Sequence, residues 1–175
     1  MIAELRRRFP QLVYSVSATT RHPRPGEIDG VAYHFVTDEQ FDTLVASNGL
    51  LEWARYGGTR YGTPRQPALD ALADGKTMLL EIELDGARQI RRSFPDAVQV
   101  FIAPPSWKEL ERRLRARGAE SPEQMKVRLA RAKIEMAAEG EFDRVVVNDD
   151  LGRAVDDLVE YLGLGLGLGL VKGNL

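Results

Sequence analysis

Thr77-Met-Leu-Leu-Glu-Ile-Glu-Leu84 and Val98-Gln-Val-Phe-Ile102 are strand-like runs, and the stretch between them around Ala87 to Arg92 has helical character. Strand, helix and strand in succession are the alternation of a parallel sheet. This half of the chain therefore predicts an α/β fold. Downstream, Ser106 with Glu109 and Ser121 with Gln124 have capping-box spacing, which predicts a helix to about Ala116 and a longer one to about Ala138. Arg144 to Val147 reads as a last strand and Leu151 to Leu162 as a closing helix. Gly163 to Gly169 alternates Gly with Leu, a low-complexity tail (163–175) expected to be disordered.

Upstream of that alternation the elements are shorter. Met1 to Phe9 predicts the last turns of a helix, with Ile2 and Leu5 on one face and Pro10 closing it. Leu12 to Val16, Val31 to Val36 and Leu51 to Tyr56 read as strands, and Thr20 to Gly26 as loop. Thr37 with Gln40 forms a capping box for a short helix bearing Phe41, Leu44 and Val45, which Gly49 is expected to stop. Gly57-Gly58 is a turn signal. Beyond it, Thr63 is predicted to cap a helix that begins at Pro64 and ends near Asp74-Gly75.

Bulk composition narrows the function classes. The chain has 175 residues, enough for one compact domain with a real core. Lys plus Arg number 24 against 26 Asp plus Glu, so the whole surface offers no case for nucleic acid or an acidic membrane, and any anion site must be local. The lack of cysteine excludes disulfides and thiolate metal sites, leaving His22 and His34 as imidazole ligands, and a cytoplasmic setting is expected. No apolar run approaches the ~20 residues of a membrane span, and none follows the charged start as a signal core.

Ser17-Ala-Thr-Thr-Arg21-His-Pro-Arg24-Pro-Gly26-Glu27 sets two guanidinium groups three residues apart on a backbone that its prolines restrict. Planar arginine donors meet phosphate oxygens bidentately, so two such forks can converge on one phosphate. Alone, the loop reads equally as a solvated basic segment stiffened by proline. Asp29-Gly30-Val-Ala-Tyr33-His-Phe35 follows it, and together the two stretches resemble the signature of the guanylate kinase family. Leu50-Leu51-Glu52-Trp53-Ala54 and Arg60-Tyr61-Gly62-Thr63 continue the match, which spans Met1 to about Leu162.

The resemblance implies a P-loop kinase-type α/β fold: a parallel sheet core with helices on both faces, a small mixed β GMP-binding subdomain at about 15–75 and a helical lid at about 106–128. It implies that Arg21, Arg24, Tyr33 and Tyr61 bind the phosphate of GMP, with Ser17 nearby. Guanine presents two adjacent donors on its pairing edge, whereas adenine presents an acceptor at N1, and a carboxylate is acceptor-only. Glu52 facing that edge would accept both hydrogens, with the Thr63 hydroxyl as a donor to O6 or N7. Without the match, Glu52 reads as an edge-strand surface carboxylate and Tyr33 as a strand aromatic.

Glu81 and Glu83 are two apart at a strand's end, so they share a face there. The family usually has aspartate at one or both positions, and by resemblance Glu81 belongs to a magnesium shell or Glu83 to the guanine amino group. Arg113 and Arg117 share a helix face and Arg128 falls in the next helix. These match the family's lid, whose arginines are expected to neutralise charge on the transferred phosphoryl group. Asn148 is placed by resemblance near the adenine of ATP.

The reaction implied is ATP plus GMP giving ADP plus GDP, with Mg2+, and the alternative is a catalytically inactive guanylate-kinase-like module that binds GMP or other proteins. No G-x-x-x-x-G-K-[ST] occurs in the sequence: Gly75-Lys76-Thr77 has Asp70 where the first glycine is required. The expectation is that ~20 to 25 residues of strand, phosphate loop and helix start are missing upstream of Met1 to Phe9, and that these residues alone turn over little.

Overall fold

Short apolar strands cannot bury themselves, so they pair and take cover from helices. The computed structural model describes residues 1–116 and 122–164. These cluster into two units, Leu5–Ala97 in one, and Met1–Glu4 with the residues from Val98 onward in the other. The predicted tail beyond Leu164, Ser121 and Arg117 lie outside the described residues.

Helix α1 (Ile2–Arg8), which enters the first unit at Leu5, buries that residue completely. Strand β1 (Val13–Tyr14) pairs in parallel with β6 (Met78–Leu79), in the register Tyr14 to Leu79. A mixed sheet runs in the order β3 (His34–Phe35), β2 (Ala18–Thr19), β5 (Thr59–Pro64), β4 (Leu50–Tyr56). There β2 lies parallel to β3 and antiparallel to β5, and β4 is antiparallel to β5. Helix α2 (Asp38–Ala46) has the full Thr37–Gln40 capping box and inserts Phe41 beside Ala18 and Leu50, with Trp53 edge-on to it. A second core joins Leu51, Ala68 of α3 (Arg65–Ala73) and Ile90 of α4 (Leu84–Ser93).

Arg60 locks the first of these cores. Its side chain is 7% exposed, donates to Asp38 Oδ1 at 2.6 Å and to Asp42 Oδ1, and lies 4.7 Å over the Phe41 ring. Both acids sit in α2, so one guanidinium ties that helix to β5.

In the second unit, β7 (Val100–Ala103) pairs in parallel with β8 (Arg144–Val147), so a parallel pair again separated by helices realises the predicted α/β alternation. Helices α5 (Trp107–Ala116) and α6 (Pro122–Ala137) and a 3-10 turn at Glu139–Glu141 connect the strands, and α7 (Leu151–Tyr161) follows, capped by Asp150 Oδ1, which accepts from Arg153 N–H at 3.0 Å. No helix among the described residues is long and apolar enough to cross a membrane.

Several local expectations need correction. The strand expected at Val31 to Val36 contracts to His34–Phe35, because the chain turns at Gly30 (φ 73°) and Val31 and Ala32 N–H both bond back to Ile28. The run Thr77 to Leu84 is strand only at Met78–Leu79, where two-residue β1 can pair with it. Glu81 and Glu83 therefore lie beyond the strand, Glu83 at the N-terminal cap position just before α4. Left-handed Asn48 (φ 55°), one residue before Gly49, follows the end of α2. Thr63 stays in β5 and caps nothing: Pro64 occupies the cap position and α3 starts at Arg65. At α5 half of the predicted box forms, since Glu109 N–H donates to Ser106 Oγ while its carboxylate turns to Arg112 and Arg113.

Candidate functional site

The hairpin turn at Gly57-Gly58, both at positive φ, sets the register that places Glu52 opposite Thr63. Cross-strand side chains on one face lie close enough to bond, and Thr63 Oγ1 donates to Glu52 Oε1 at 2.6 Å. Thr63 is fully buried and Glu52 is 4% exposed. Burial pushes the Glu52 carboxyl above its ordinary pKa, and the Thr63 hydrogen bonds oppose that shift. A carboxylate at that depth costs free energy unless something donates to it. Thr63 satisfies one oxygen.

The Glu52 surroundings are completed by α4. Gln89 of α4 accepts the Trp53 N–H at 3.2 Å and donates to the Trp53 carbonyl at 2.7 Å, acting on edge strand β4 as a neighbouring strand would. One turn earlier, Gly86 faces Glu52 closely enough that a Cβ built on it would stand 2.1 Å from Glu52 Oε2.

Further along the sheet a cationic and aromatic cluster forms. Arg21 donates to both oxygens of Glu27, at 2.9 and 3.0 Å, and to the His22 carbonyl at 2.8 Å. Its guanidinium lies 5.3 Å from the Tyr33 ring centre and 5.8 Å from that of Phe35. Tyr33 and Tyr61 meet edge to face at 5.9 Å. Arg21, Tyr33 and Tyr61 are thus brought together, and Arg24 stands exposed beside them with its backbone N–H on Glu27 Oε2 at 2.7 Å. Hydrogen bonds from Arg21 hold the Glu27 carboxyl below its ordinary pKa. Burial raises Tyr33, helped by Tyr61 and Glu81. Ser17 is half-buried next to β2, its carbonyl accepting from His34 N–H at 2.9 Å.

Glu81 is exposed and Glu83 half-buried. Tyr14 at the end of β1 donates to Glu81 Oε2 at 3.1 Å, and burial first, then the Glu81 charge, pushes the phenol up to about 12. Among the described residues no group of three or more His, Cys, Asp and Glu could hold a metal ion.

In the second unit Arg113 donates to Glu109 Oε1 at 2.7 Å and to the Asn148 carbonyl at 2.9 Å, joining α5 to the end of β8. Two predicted residues meet there, though through the Asn148 backbone. Arg112, then Arg113, hold Glu109 at about 2. Arg128 is half-buried on α6. A cavity of about 310 Å³ past Asn148 is lined by Val147, Asp149, Arg153, Asp156 and Asp157.

Sequence patterns alone do not single out Tyr14, Gly86 or Gln89, and give Glu27 and Arg60 no role. Glu27 is visible as an acid three residues after Arg24. Gln89 acts on a strand 36 residues away, a separation with no sequence signal.

Structural likeness gives the class first, an α/β kinase. The structure is similar to that of guanylate kinase from Anaplasma phagocytophilum, with a TM-score of 0.77 and 33% identity over 90% of this chain and 77% of that one. Residues 1–163 match the family model described as guanylate kinase. The guanylate kinase of Thermobifida fusca is 58% identical over 93% of this chain and 83% of its own length, and that of Streptomyces kasugaensis 60% over 85% and 72%. The chain belongs to the guanylate kinase family, and its reaction is phosphoryl transfer from ATP to GMP.

Proposed function

We propose that the first unit is the acceptor site of this reaction: Glu52 and Thr63 select guanine, and Arg21, Arg24, Tyr33 and Tyr61 hold the GMP phosphate beside Ser17. The supporting observation is the buried Thr63 to Glu52 hydrogen bond on the same strand as Tyr61. Tyr61 and Thr63 are two residues apart, so they share a strand face about 7 Å apart. One strand can thus present a base-reading group and a phosphate-holding group to one small ligand. Glu52 Oε1 already accepts from Thr63 and the carboxylate has lone pairs left for N1–H and N2–H of guanine. Adenine would turn its N1 lone pair on the same anion, leaving buried partners unmet, which is how such sites discriminate.

Glu83 is the candidate for the guanine amino group. Mg2+ accompanying ATP would need only one or two carboxylates from the protein, and exposed Glu81, oriented by Tyr14, suits that task. The metal would neutralise phosphate charge during transfer. Arg113, Arg117 and Arg128 are the proposed lid arginines over the transferred group and Asn148 the adenine neighbour, with catalysis by positioning and charge stabilisation and no nucleophilic side chain. We place the reaction in the cytoplasm, in keeping with the lack of cysteine.

Thermal denaturation tests the reading. The melting temperature should rise with GMP and not with AMP, and indifference to GMP would sink it.

A further inference from the structure

We propose that Gly86 is a positioning residue for base selection: its missing side chain leaves the space in which the Glu52 carboxylate stands. The inference rests on the proposed guanine-reading role of Glu52.

A methyl group at position 86 would meet Glu52 Oε2 at 2.1 Å, Cδ at 2.9 Å and Cγ at 3.4 Å. The first distance is far inside any real contact, so either the carboxylate or the helix must move. The helix is held. Gln89, three residues on and on the same face of α4, grips both the N–H and the carbonyl of Trp53, the residue next to Glu52. Ile90 of α4 is buried in the core with Leu51 and Ala68. Residues on both sides of Glu52 are thereby tied to α4, and the gap between Gly86 and β4 cannot widen without breaking them. The carboxylate has to give way. It is anchored on one oxygen by Thr63 at 2.6 Å, so displacement turns Oε2 out of its place.

Backbone need does not explain the glycine. Gly86 is the third residue of α4 and is absent from the positive-φ positions, and alanine is the better helix former there. A glycine that weakens its helix and alone clears a buried carboxylate is best accounted for by the carboxylate.

The test is binding of GMP and IMP to the full chain by calorimetry, in a cycle of Gly86→Ala, Glu52→Asp and the double variant. IMP lacks the 2-amino group, so the preference for GMP reads the hydrogen that group would give Glu52 together with the one proposed for Glu83. The native chain should prefer GMP by about tenfold or more, the worth of one charge-assisted hydrogen bond. Gly86→Ala should weaken GMP by at least that factor and shrink the preference to what Glu83 alone would supply. Glu52→Asp shortens the side chain by one methylene and makes room for the methyl group. In that background Gly86→Ala should cost less than about twofold, the coupling expected of groups in contact.

An equal cost in both backgrounds would overturn the proposal, because a helix merely perturbed at position 86 would weaken GMP whatever stands at 52. So would an unchanged GMP preference in Gly86→Ala. A separate Glu52→Gln variant checks the underlying reading: if it keeps native GMP affinity and preference, guanine selection by Glu52 is wrong. If it loses them while Gly86→Ala does not, the selection stands and the Gly86 inference falls. Thermal melts of each variant, expected to stay cooperative, separate lost binding from lost fold.

Discussion

The two ends of the proposed acceptor site solve opposite problems. At the base end, Glu52 is almost wholly buried, bonded to the neutral Thr63, and pushed toward protonation by the loss of water. At the phosphate end, Arg21 keeps 16% of its side chain exposed and already holds an anion, the Glu27 carboxylate, which is pushed away from protonation. Where discrimination is needed, a charge is desolvated and left short of donors, so that only a ligand with the right donors relieves it. Where attraction is needed, charge stays near water and is kept in order by a replaceable partner. The first arrangement costs stability and the second adds to it.

The largest effect should follow loss of the base-end carboxylate. Glu52→Ala removes two hydrogen bonds to a charged group, each worth roughly 1.5 to 3 kcal/mol, so GMP affinity should fall by about a hundredfold or more. The loss should barely change between low and high salt, because buried interactions are weakly screened. Titration calorimetry at two salt concentrations measures both. A strongly salt-dependent loss would mean that Glu52 acts as a surface charge and would erase the contrast between the ends.

Arg21→Ala should come next, weakening GMP by roughly thirtyfold through loss of bidentate contact with its phosphate. Here the loss should shrink as salt rises, since the guanidinium keeps access to solvent. Arg21→Lys should recover little of it, because an ammonium group cannot reproduce the planar fork.

Smaller again, and opposite in sign at the two ends, are the pH effects on stability. Glu52 has a raised pKa, so the folded state holds its proton more tightly than the unfolded state. Its burial penalty is present at neutral pH and is relieved as pH falls through the raised pKa toward 4.5. Glu27 has a depressed pKa, so its contribution to stability is present above 4.5 and is lost as pH falls through the depressed value. Glu52→Gln should therefore melt higher than the native chain at neutral pH, with the advantage disappearing on acidification. Glu27→Gln should melt lower, with the deficit disappearing at more acid pH. Melting curves of the three proteins across this range decide the matter, and deviations of the same sign would break the comparison.

The base end is more legible in the sequence than its surroundings. Gly57-Gly58 marks a two-residue hairpin turn, and counting outward from Tyr56 opposite Thr59 brings Glu52 opposite Thr63 by register alone. What the pattern hides is that Thr63, placed like a helix cap, extends a strand and gives its hydroxyl to Glu52. A threonine before a proline satisfies both descriptions locally, and only the partner strand chooses between them. Likewise Thr77 to Leu84 is apolar enough for a long strand, yet pairing ends where β1 ends. The α/β alternation is legible because it repeats along the chain. The contacts of Gly86 and Gln89 with β4 are not, because they depend on where a helix lands and not on its own periodicity.

The smallest expected effect concerns Tyr14, which lies between these two extremes. Its phenol is raised to about 12 by burial first and by Glu81 second, and it donates to the carboxylate it titrates against. Replacing Glu81 by Gln removes the charge and leaves the burial, so the phenol should titrate below about 12 and still above its ordinary value of 10.0. Between 10.0 and about 12 the unfolded state releases this proton and the folded state keeps it, so native stability should fall as pH rises through that window. Tyr14→Phe should escape that part of the alkaline loss. Spectrophotometric titration assigns the group, since the signal missing from Tyr14→Phe among the five tyrosines identifies it. If Glu81→Gln leaves the Tyr14 titration unchanged, burial alone sets it, and the phenol does not orient the carboxylate proposed for the metal.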